Sequence, residues 1–174
     1  MQQQRDEEFA AEDVTATDLL TAQHREVEEL FEAISEANDP EEKQDLFDTL
    51  ADKLAVHTQL EEQFFYPAVQ AKKSEEMVLE AFVEHTTIKQ LLVELLDTDP
   101  SGTLFDANMK VLEEQVAHHV QEEEEELFPF AKRLLSREEL AEVAQEMAAL
   151  QAELDGTEPR PRISEEVQQP PALG

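Results

Sequence analysis

The feature of this sequence that most limits its possible folds is a His-x3-Glu-x5-Pro pattern that occurs twice, over His57–Pro67 and His119–Pro129. Apolar residues recur every three or four positions around both copies, which is the period of an amphipathic α-helix. On such a helix the His and the Glu, four residues apart, lie on the same apolar face. A carboxylate buried there is costly unless it is paired or binds a cation. The chain must therefore fold so that both faces surround a compensating charge.

Each of the four long helical stretches has one His in the middle of its apolar stripe. His24 precedes His57 by about as many residues as His85 precedes His119, so the chain consists of two equivalent helical hairpins. This repeat predicts a pseudo-two-fold arrangement with two metal positions, bridged by carboxylates at a separation of about 3.5–4 Å. The candidate metal ligands are His24, His57, Glu61, His85, His119 and Glu123.

The remaining polar residues near these positions are expected to lie outside the ligand set. His118 is adjacent to His119, about 100° around the helix, so the two cannot both face inward. Only His119 has the spacing to a following Pro that His57 has, so His118 is expected at the surface. We expect Glu28, Glu62 and Glu124 to be exposed, although each could reach the site.

The chemistry of the ligand set follows from its residue types. The chain contains no Cys, which excludes disulfides, thiolate nucleophiles and iron–sulfur clusters. Imidazole and carboxylate ligands suit iron, manganese or zinc. Tyr66, close to the first Pro of the repeat, is expected to pack where the helix kinks, with electron transfer or hydrogen bonding as the alternative.

Sparse helix-breaking residues and the helical period predict an all-α protein, an up-down antiparallel four-helix bundle with an additional C-terminal helix. We expect a disordered N-terminal segment over residues 1–14, the bundle over 15–135, the additional helix over 136–155 and a disordered Pro-rich tail over 156–174. Kinks are expected at Pro67 and Pro129. The apolar stripe of the fifth helix is expected to pack along the bundle, with a dimer contact as the alternative. A monomer is favoured.

Charge narrows the range of partners. The chain has 13 Lys and Arg against 43 Asp and Glu, a net charge of −30. Such a surface repels a phosphate backbone and an anionic membrane, so neither nucleic acid nor membrane is expected as a partner. No apolar run approaches the roughly 20 residues of a membrane span, and the first residues lack the apolar segment of a signal peptide. A cytoplasmic location is expected.

Several enzyme classes lack their diagnostic patterns here. Ferritin-like di-iron proteins use Glu-x-x-His on two helices, and no His of this chain has an acidic residue three positions before it. The His-Glu-x-x-His motif of zinc proteases is absent. A hydrolytic triad has no support, because no Ser lies near a His in the helical register.

The series His24, His57-x3-Glu61, His85 and His119-x3-Glu123 resembles the hemerythrin family, specifically its cation-binding HHE branch, over about Thr15–Leu135. The resemblance implies a non-haem di-iron site in a four-helix bundle that binds dioxygen, nitric oxide or peroxide. It implies that His24 and His57 bind one iron and His85 and His119 the other. Glu61 and Glu123 would bridge the two irons, together with an oxo or hydroxo group.

Two positions depart from the oxygen carriers of that family. The carriers have a further His four residues after the third-helix His, and this chain has Lys89 there. They also end with His-x4-Asp, whereas this chain has His119-x3-Glu123. The loss of a His ligand implies open coordination positions and a more reactive centre than reversible oxygen carriage needs. Binding or sensing of O2, NO or peroxide, decomposition of H2O2, reduction of NO, and iron sequestration all stay open.

Overall fold

A computed structural model describes residues 14–71 and 75–169, and within these ranges all regular secondary structure is helical. Four long stretches alternate in direction and form the bundle, and two further helices follow. Short π-helical segments interrupt the second and fourth stretches at Glu61–Phe65 and Glu123–Leu127. The α-helices are α1 (Ala16–Glu36), α2 (Pro40–Leu60), α3 (Tyr66–Gln70), α4 (Glu75–Leu96), α5 (Thr103–Glu122), α6 (Phe128–Leu134), α7 (Arg137–Leu154) and α8 (Arg160–Gln168).

Local sequence signals set where the helices begin. Thr15 caps α1 in a reciprocal capping box with Asp18. The side chain of Asp39 accepts the Glu42 N–H at the start of α2, where Pro40 occupies the first helical position. Ser136 caps α7 in a second capping box. Of the disordered segment expected over residues 1–14, residues 1–13 lie outside the described part of the chain.

The structure adds a backbone feature next to the kinks expected at Pro67 and Pro129. The backbone changes before each Pro, at the inward glutamates, where Tyr66 N–H bonds to Glu61 O and Phe128 N–H bonds to Glu123 O in i→i+5 turns. Pro67 then lies in the first turn of the next helix, where its missing N–H is tolerated. The wider turn relieves the clash a proline causes in an α-helix and changes the register of the residues that follow each glutamate.

Two apolar clusters fill the bundle on either side of its middle. One includes Phe31, Phe47 and Phe105, and the other includes Leu20 and Phe65. Full burial of such side chains stabilises the fold by about 1.5–3 kcal/mol each. Polar residues lie buried between the two clusters: His24, His57, Glu61, His85, Lys89, His119 and Glu123.

The fifth long helix, α7, packs on α1 and α2. Leu140, Ala144 and Met147 are buried in the second apolar cluster, and Leu154 is buried at the C-terminal end of the helix. Its stripe is thus covered within the chain, as expected, rather than left as a dimer face.

The expectation of a disordered tail over residues 156–174 is wrong for its described part, because Arg160–Gln168 forms the helix α8. Ile163 is 1% exposed in the first apolar cluster, and Arg160 Nη1 donates to Asp52 at 2.6 Å. Pro161 lies in the first helical turn, which tolerates proline. The prolines therefore delimit a short helix instead of preventing one.

Among the described residues, none of the helices is both long enough and apolar enough to cross a bilayer.

Candidate metal centre

The structure brings all six candidate ligands together in the middle of the bundle. Each helical stretch contributes one imidazole, and the second and fourth stretches add their glutamates from the π-helical segments. Each of the six residues is at most 4% exposed. Their donor atoms form two groups that share Glu61: one with His24, His57 and Glu123, and the other with His85 and His119.

The distances between donor atoms match those of ligands around a common ion. Glu61 Oε1 lies 3.3 Å from His57 Nε2, and Glu61 Oε2 lies 3.0 Å from His85 Nε2. His24 Nε2 lies 3.2 Å from Glu123 Oε2, and the Nε2 atoms of His85 and His119 are 3.1 Å apart. Atoms bound at about 2.1 Å to one ion lie roughly 3 Å from one another. The two oxygens of Glu61 point to different groups, which is the geometry of a bridging carboxylate.

The Nδ1 atom of every candidate His donates to an acceptor outside the donor groups. His24 donates to Glu124 at 2.8 Å and His85 to Glu62 at 2.8 Å. An acceptor at Nδ1 fixes the tautomer that leaves the Nε2 lone pair free for a metal. The remaining two pairs are His57 with Gln23 at 2.8 Å and His119 with Glu84 at 2.7 Å.

Several of these supporting residues correct the sequence-based expectations. Glu62 and Glu124 were expected to be exposed, but they are 15% and 25% exposed and orient His85 and His24. Gln23 and Glu84 were not expected in this role. The sequence does contain a signal for this role, because a polar residue directly precedes the candidate His on the first and third stretches. A side chain at such a position can reach the His on the paired helix.

The surface positions agree with expectation. His118 is 59% exposed and lies 3.2 Å from Glu122, outside the six-residue centre. Together with Glu84 and Glu122 it forms a separate, partly exposed group. Glu28 is 56% exposed and accepts a hydrogen bond from Arg25.

Tyr66 belongs to the centre, which corrects the expectation that it merely packs at a kink. It is fully buried, and its hydroxyl lies 2.9 Å from Glu123 Oε1, 3.1 Å from His85 Nε2 and 3.2 Å from Glu61 Oε2. Burial and the charges of Glu123 and Glu61 raise the pKa of Tyr66 well above its ordinary value. In the metal-free protein the hydroxyl therefore stays protonated and donates a hydrogen bond to a carboxylate.

The protonation of the imidazoles is uneven. Burial lowers the pKa of His57 to about 3, so this imidazole is neutral. Burial also lowers the pKa of His24, His85 and His119, but the nearby carboxylates outweigh it and raise the pKa of each above its ordinary value. A metal ion that binds these imidazoles displaces their protons.

Three buried metal-donor atoms make no hydrogen bond of acceptable geometry within the described part of the chain, His24 Nε2, Glu61 Oε1 and Glu123 Oε2, although each lies 3.2 or 3.3 Å from another donor atom of the centre. All three belong to the same donor group. Unpaired buried polar atoms are rare in native proteins because each costs about 1–3 kcal/mol, and more when charged. The residues present therefore fit a cation site.

Lys89 lies beside the centre but does not join it. It is 5% exposed, and its Nζ donates to both carboxylate oxygens of Glu62 at 2.8 and 3.0 Å. A third carboxylate oxygen, Glu166 Oε2 of α8, lies 2.8 Å away. The ammonium is thus held by acceptors that lie outside the donor groups.

Comparison with known proteins decides the family. A model of the hemerythrin HHE cation-binding domain matches residues 15–131, most of the chain. The chain belongs to this family. It is a hemerythrin-like HHE cation-binding domain, its imidazoles and carboxylates form a candidate metal centre, and the resemblance found in its sequence is confirmed.

A solved relative of this hemerythrin-like domain is the HHE cation-binding domain-containing protein of Mycobacterium kansasii, a homologue of Rv2633c. It superimposes with a TM-score of 0.73 at 27% sequence identity, covering 90% of this chain and 94% of that one. The uncharacterized protein Rv2633c of Mycobacterium tuberculosis is 26% identical over 146 residues, 83% of this chain and 89% of that protein.

A third relative of this HHE domain is a DNA nickase of Nostoc sp., 29% identical over 143 residues. The match covers 82% of this chain but only 41% of the nickase, so the chain spans less than half the length of that protein.

Proposed function

We propose that this hemerythrin-like protein binds two iron ions and uses them to bind or sense a small ligand, O2, NO or peroxide. The observation that carries the proposal is the shared position of Glu61. It faces the His24 and His57 imidazoles with one oxygen and the His85 imidazole with the other. Paired ions bridged by carboxylates provide a two-electron centre, which is the chemistry that O2 and peroxide require.

The proposed ligands divide between two positions. His24 and His57 would hold one ion and His85 and His119 the other, with Glu61 and Glu123 shared between the two positions. Tyr66 supplies a further oxygen next to His85, where Lys89 replaces the additional His of the oxygen carriers. The described residues offer neither position a full set of six protein donors, so both would have room for water or a small ligand.

The surroundings of the centre suit a small apolar or neutral ligand. Phe128 stacks on the His24 ring with its centroid at 5.7 Å, and Phe65 contacts Phe128 edge-on at 5.5 Å. These rings exclude water from one side of the centre. The net charge of −30 repels polyanions, so we propose no nucleic-acid substrate despite the likeness to part of a nickase.

A second candidate function is the decomposition of H2O2, and Tyr66 favours it. In that reaction one peroxide takes up two electrons and two protons and leaves as two waters, and a second peroxide gives up two electrons and two protons and leaves as O2; a bound iron pair would hold the two electrons between the two halves. The Tyr66 hydroxyl lies within hydrogen-bonding distance of both carboxylates and could pass protons at the centre. A nearby phenol is also a one-electron donor.

The test uses protein loaded with two Fe(II) under anaerobic conditions and then exposed to NO, O2 or H2O2. The proposal predicts a stable spectroscopic adduct with at least one of these ligands and a fully ferric product after air. Oxygen evolution over many turnovers of added H2O2 favours the enzyme instead, and Tyr66→Phe should then slow it. Loaded protein whose spectrum none of the three ligands changes would contradict both functions.

A further inference from the structure

We propose that helix α8 helps to hold His85 in position at the metal centre, with Glu166 and Lys89 as positioning residues. The inference rests on the proposed two-metal function and goes beyond it. It starts from a continuous series of contacts: Glu166 to Lys89 at 2.8 Å, Lys89 to Glu62 at 2.8 Å, and His85 Nδ1 to the same Glu62 oxygen at 2.8 Å.

The comparison with the other half of the bundle shows what α8 adds. There, Arg25 Nη2 donates to both oxygens of Glu124, and Glu124 accepts the Nδ1–H of His24. Both halves thus have a cation, a carboxylate and an imidazole in series. Arg25, however, is 48% exposed, and no additional helix is needed to hold it next to Glu124.

Lys89 is in a different situation, because it is buried beneath α8. A buried ammonium needs charged partners, and Glu62 already shares one oxygen with His85. Glu166 supplies the second carboxylate, so Lys89 does not draw Glu62 away from the imidazole. The helix that brings Glu166 is anchored at its start by Arg160 on Asp52, and Ile163 and the partly buried Val167 pack on the apolar core on either side of Glu166.

This arrangement has a chemical consequence for the centre. A fixed Glu62 holds the His85 ring with its Nε2 toward Glu61, whereas a mobile one lets the ring turn. Partners of this kind typically change metal affinity by 10–100-fold when they are removed. Glu166 acts one contact further out, so its removal should weaken the ion bound by His85 and His119 by several-fold.

The first arm of the test measures whether the contact with Glu166 protects the Lys89 amine. Full-length wild type, Glu166→Gln and Glu165→Gln are treated in the metal-free state with an amine-acylating reagent, and labelling of Lys89 is quantified by mass spectrometry relative to exposed Lys110. We expect several-fold faster labelling of Lys89 in Glu166→Gln alone. Glu165 is the matched control because it is an exposed glutamate on the same helix.

The second arm measures metal binding by titrating the same three proteins and Glu62→Gln with Co²⁺, whose visible absorption reports each ion. We expect the binding step of the His85 and His119 position, identified as the step that His119→Ala loses, to be several-fold weaker in Glu166→Gln and about 10–100-fold weaker in Glu62→Gln. Glu165→Gln should match wild type. Bound metal should also slow tryptic cleavage after Arg162 within α8, since coupling between two sites is reciprocal.

The two arms distinguish a failure of the proposed two-metal function from a failure of the role proposed for α8. Wild type that binds no second ion contradicts the proposed function itself. Wild type that binds two ions while Glu166→Gln equals Glu165→Gln overturns only the role of α8. Faster Lys89 labelling without any change in metal affinity also overturns the role of α8, because the contact between Glu166 and Lys89 would then be purely structural.

Discussion

Replacing His119 by Ala is expected to reduce the bound metal from two ions to about one per chain. The change removes an Nε2 donor that lies 3.1 Å from its partner in His85, and no other described imidazole belongs to this donor group. One imidazole then remains beside the shared carboxylates and the Tyr66 hydroxyl, a weaker donor set for a divalent ion. His57→Ala should have the same effect on the other position. Metal content is measured by elemental analysis and native mass spectrometry.

His118→Ala is the matched control for this experiment. His118 is adjacent in sequence and equal in chemistry, but it is 59% exposed and lies outside the six-residue centre. The control should retain both ions. Equal metal content in wild type, His57→Ala and His119→Ala would contradict the ligand assignment, and loss of an ion from His118→Ala would move the site to the surface group with Glu84 and Glu122.

Removal of the metal is expected to lower the unfolding temperature strongly. An ion present at 1,000 times its Kd stabilises the folded state by about 4.1 kcal/mol. For a chain of this size each kcal/mol shifts the unfolding temperature by roughly 2–4 °C. Each bound ion should therefore raise the temperature by about 8–16 °C, measured by circular dichroism with metal-loaded and chelator-treated protein.

A substitution at Glu61 tests the physical reason for this stabilisation. In the metal-free protein Glu61 is a fully buried carboxylate, one oxygen of which has no hydrogen-bond partner among the described residues. Burial alone would raise the pKa of this carboxylate, but the imidazoles of His57, His119 and His85 outweigh burial and lower the pKa well below its ordinary value. Its charge is therefore paired, and removing one member of a buried pair is destabilising. Glu61→Leu should thus lower the metal-free unfolding temperature, and should abolish most of the increase caused by metal. A metal-induced increase equal to that of wild type would contradict the bridging role.

The inward ligands could be predicted from the sequence because they obey the helical period. Glu61 and Glu123 follow His57 and His119 by four residues, and a straight helix puts each pair on one face. The capping boxes at Thr15 and Ser136 are equally local signals, and the structure has both.

Tyr66 could not be placed in this way, because the backbone departs from the α-helical period at Glu61. In an α-helix the residue one turn after Glu61 is Phe65, whereas in the observed π-helical turn Tyr66 N–H bonds to Glu61 O. The longer turn brings the Tyr66 hydroxyl to the centre. A proline six residues after the glutamate signals a disturbance but does not specify its type.

The supporting residues were missed for a different reason, since they depend on contacts between helices. Glu62 reaches His85, and Glu124 reaches His24, across the bundle. Periodicity within one helix assigns such half-buried positions to the solvent side. Contacts at long sequence separation also explain α8, whose anchor joins Arg160 to Asp52 on another helix.

The central claim, that two ions share the carboxylates in the middle of this bundle, is tested most directly by anomalous diffraction at the iron edge from crystals of iron-loaded protein. We predict two anomalous peaks about 3.5–4 Å apart, one between His24 and His57 and the other between His85 and His119, on either side of Glu61. A single peak in the centre, or peaks only beside His118, would contradict the two-metal account.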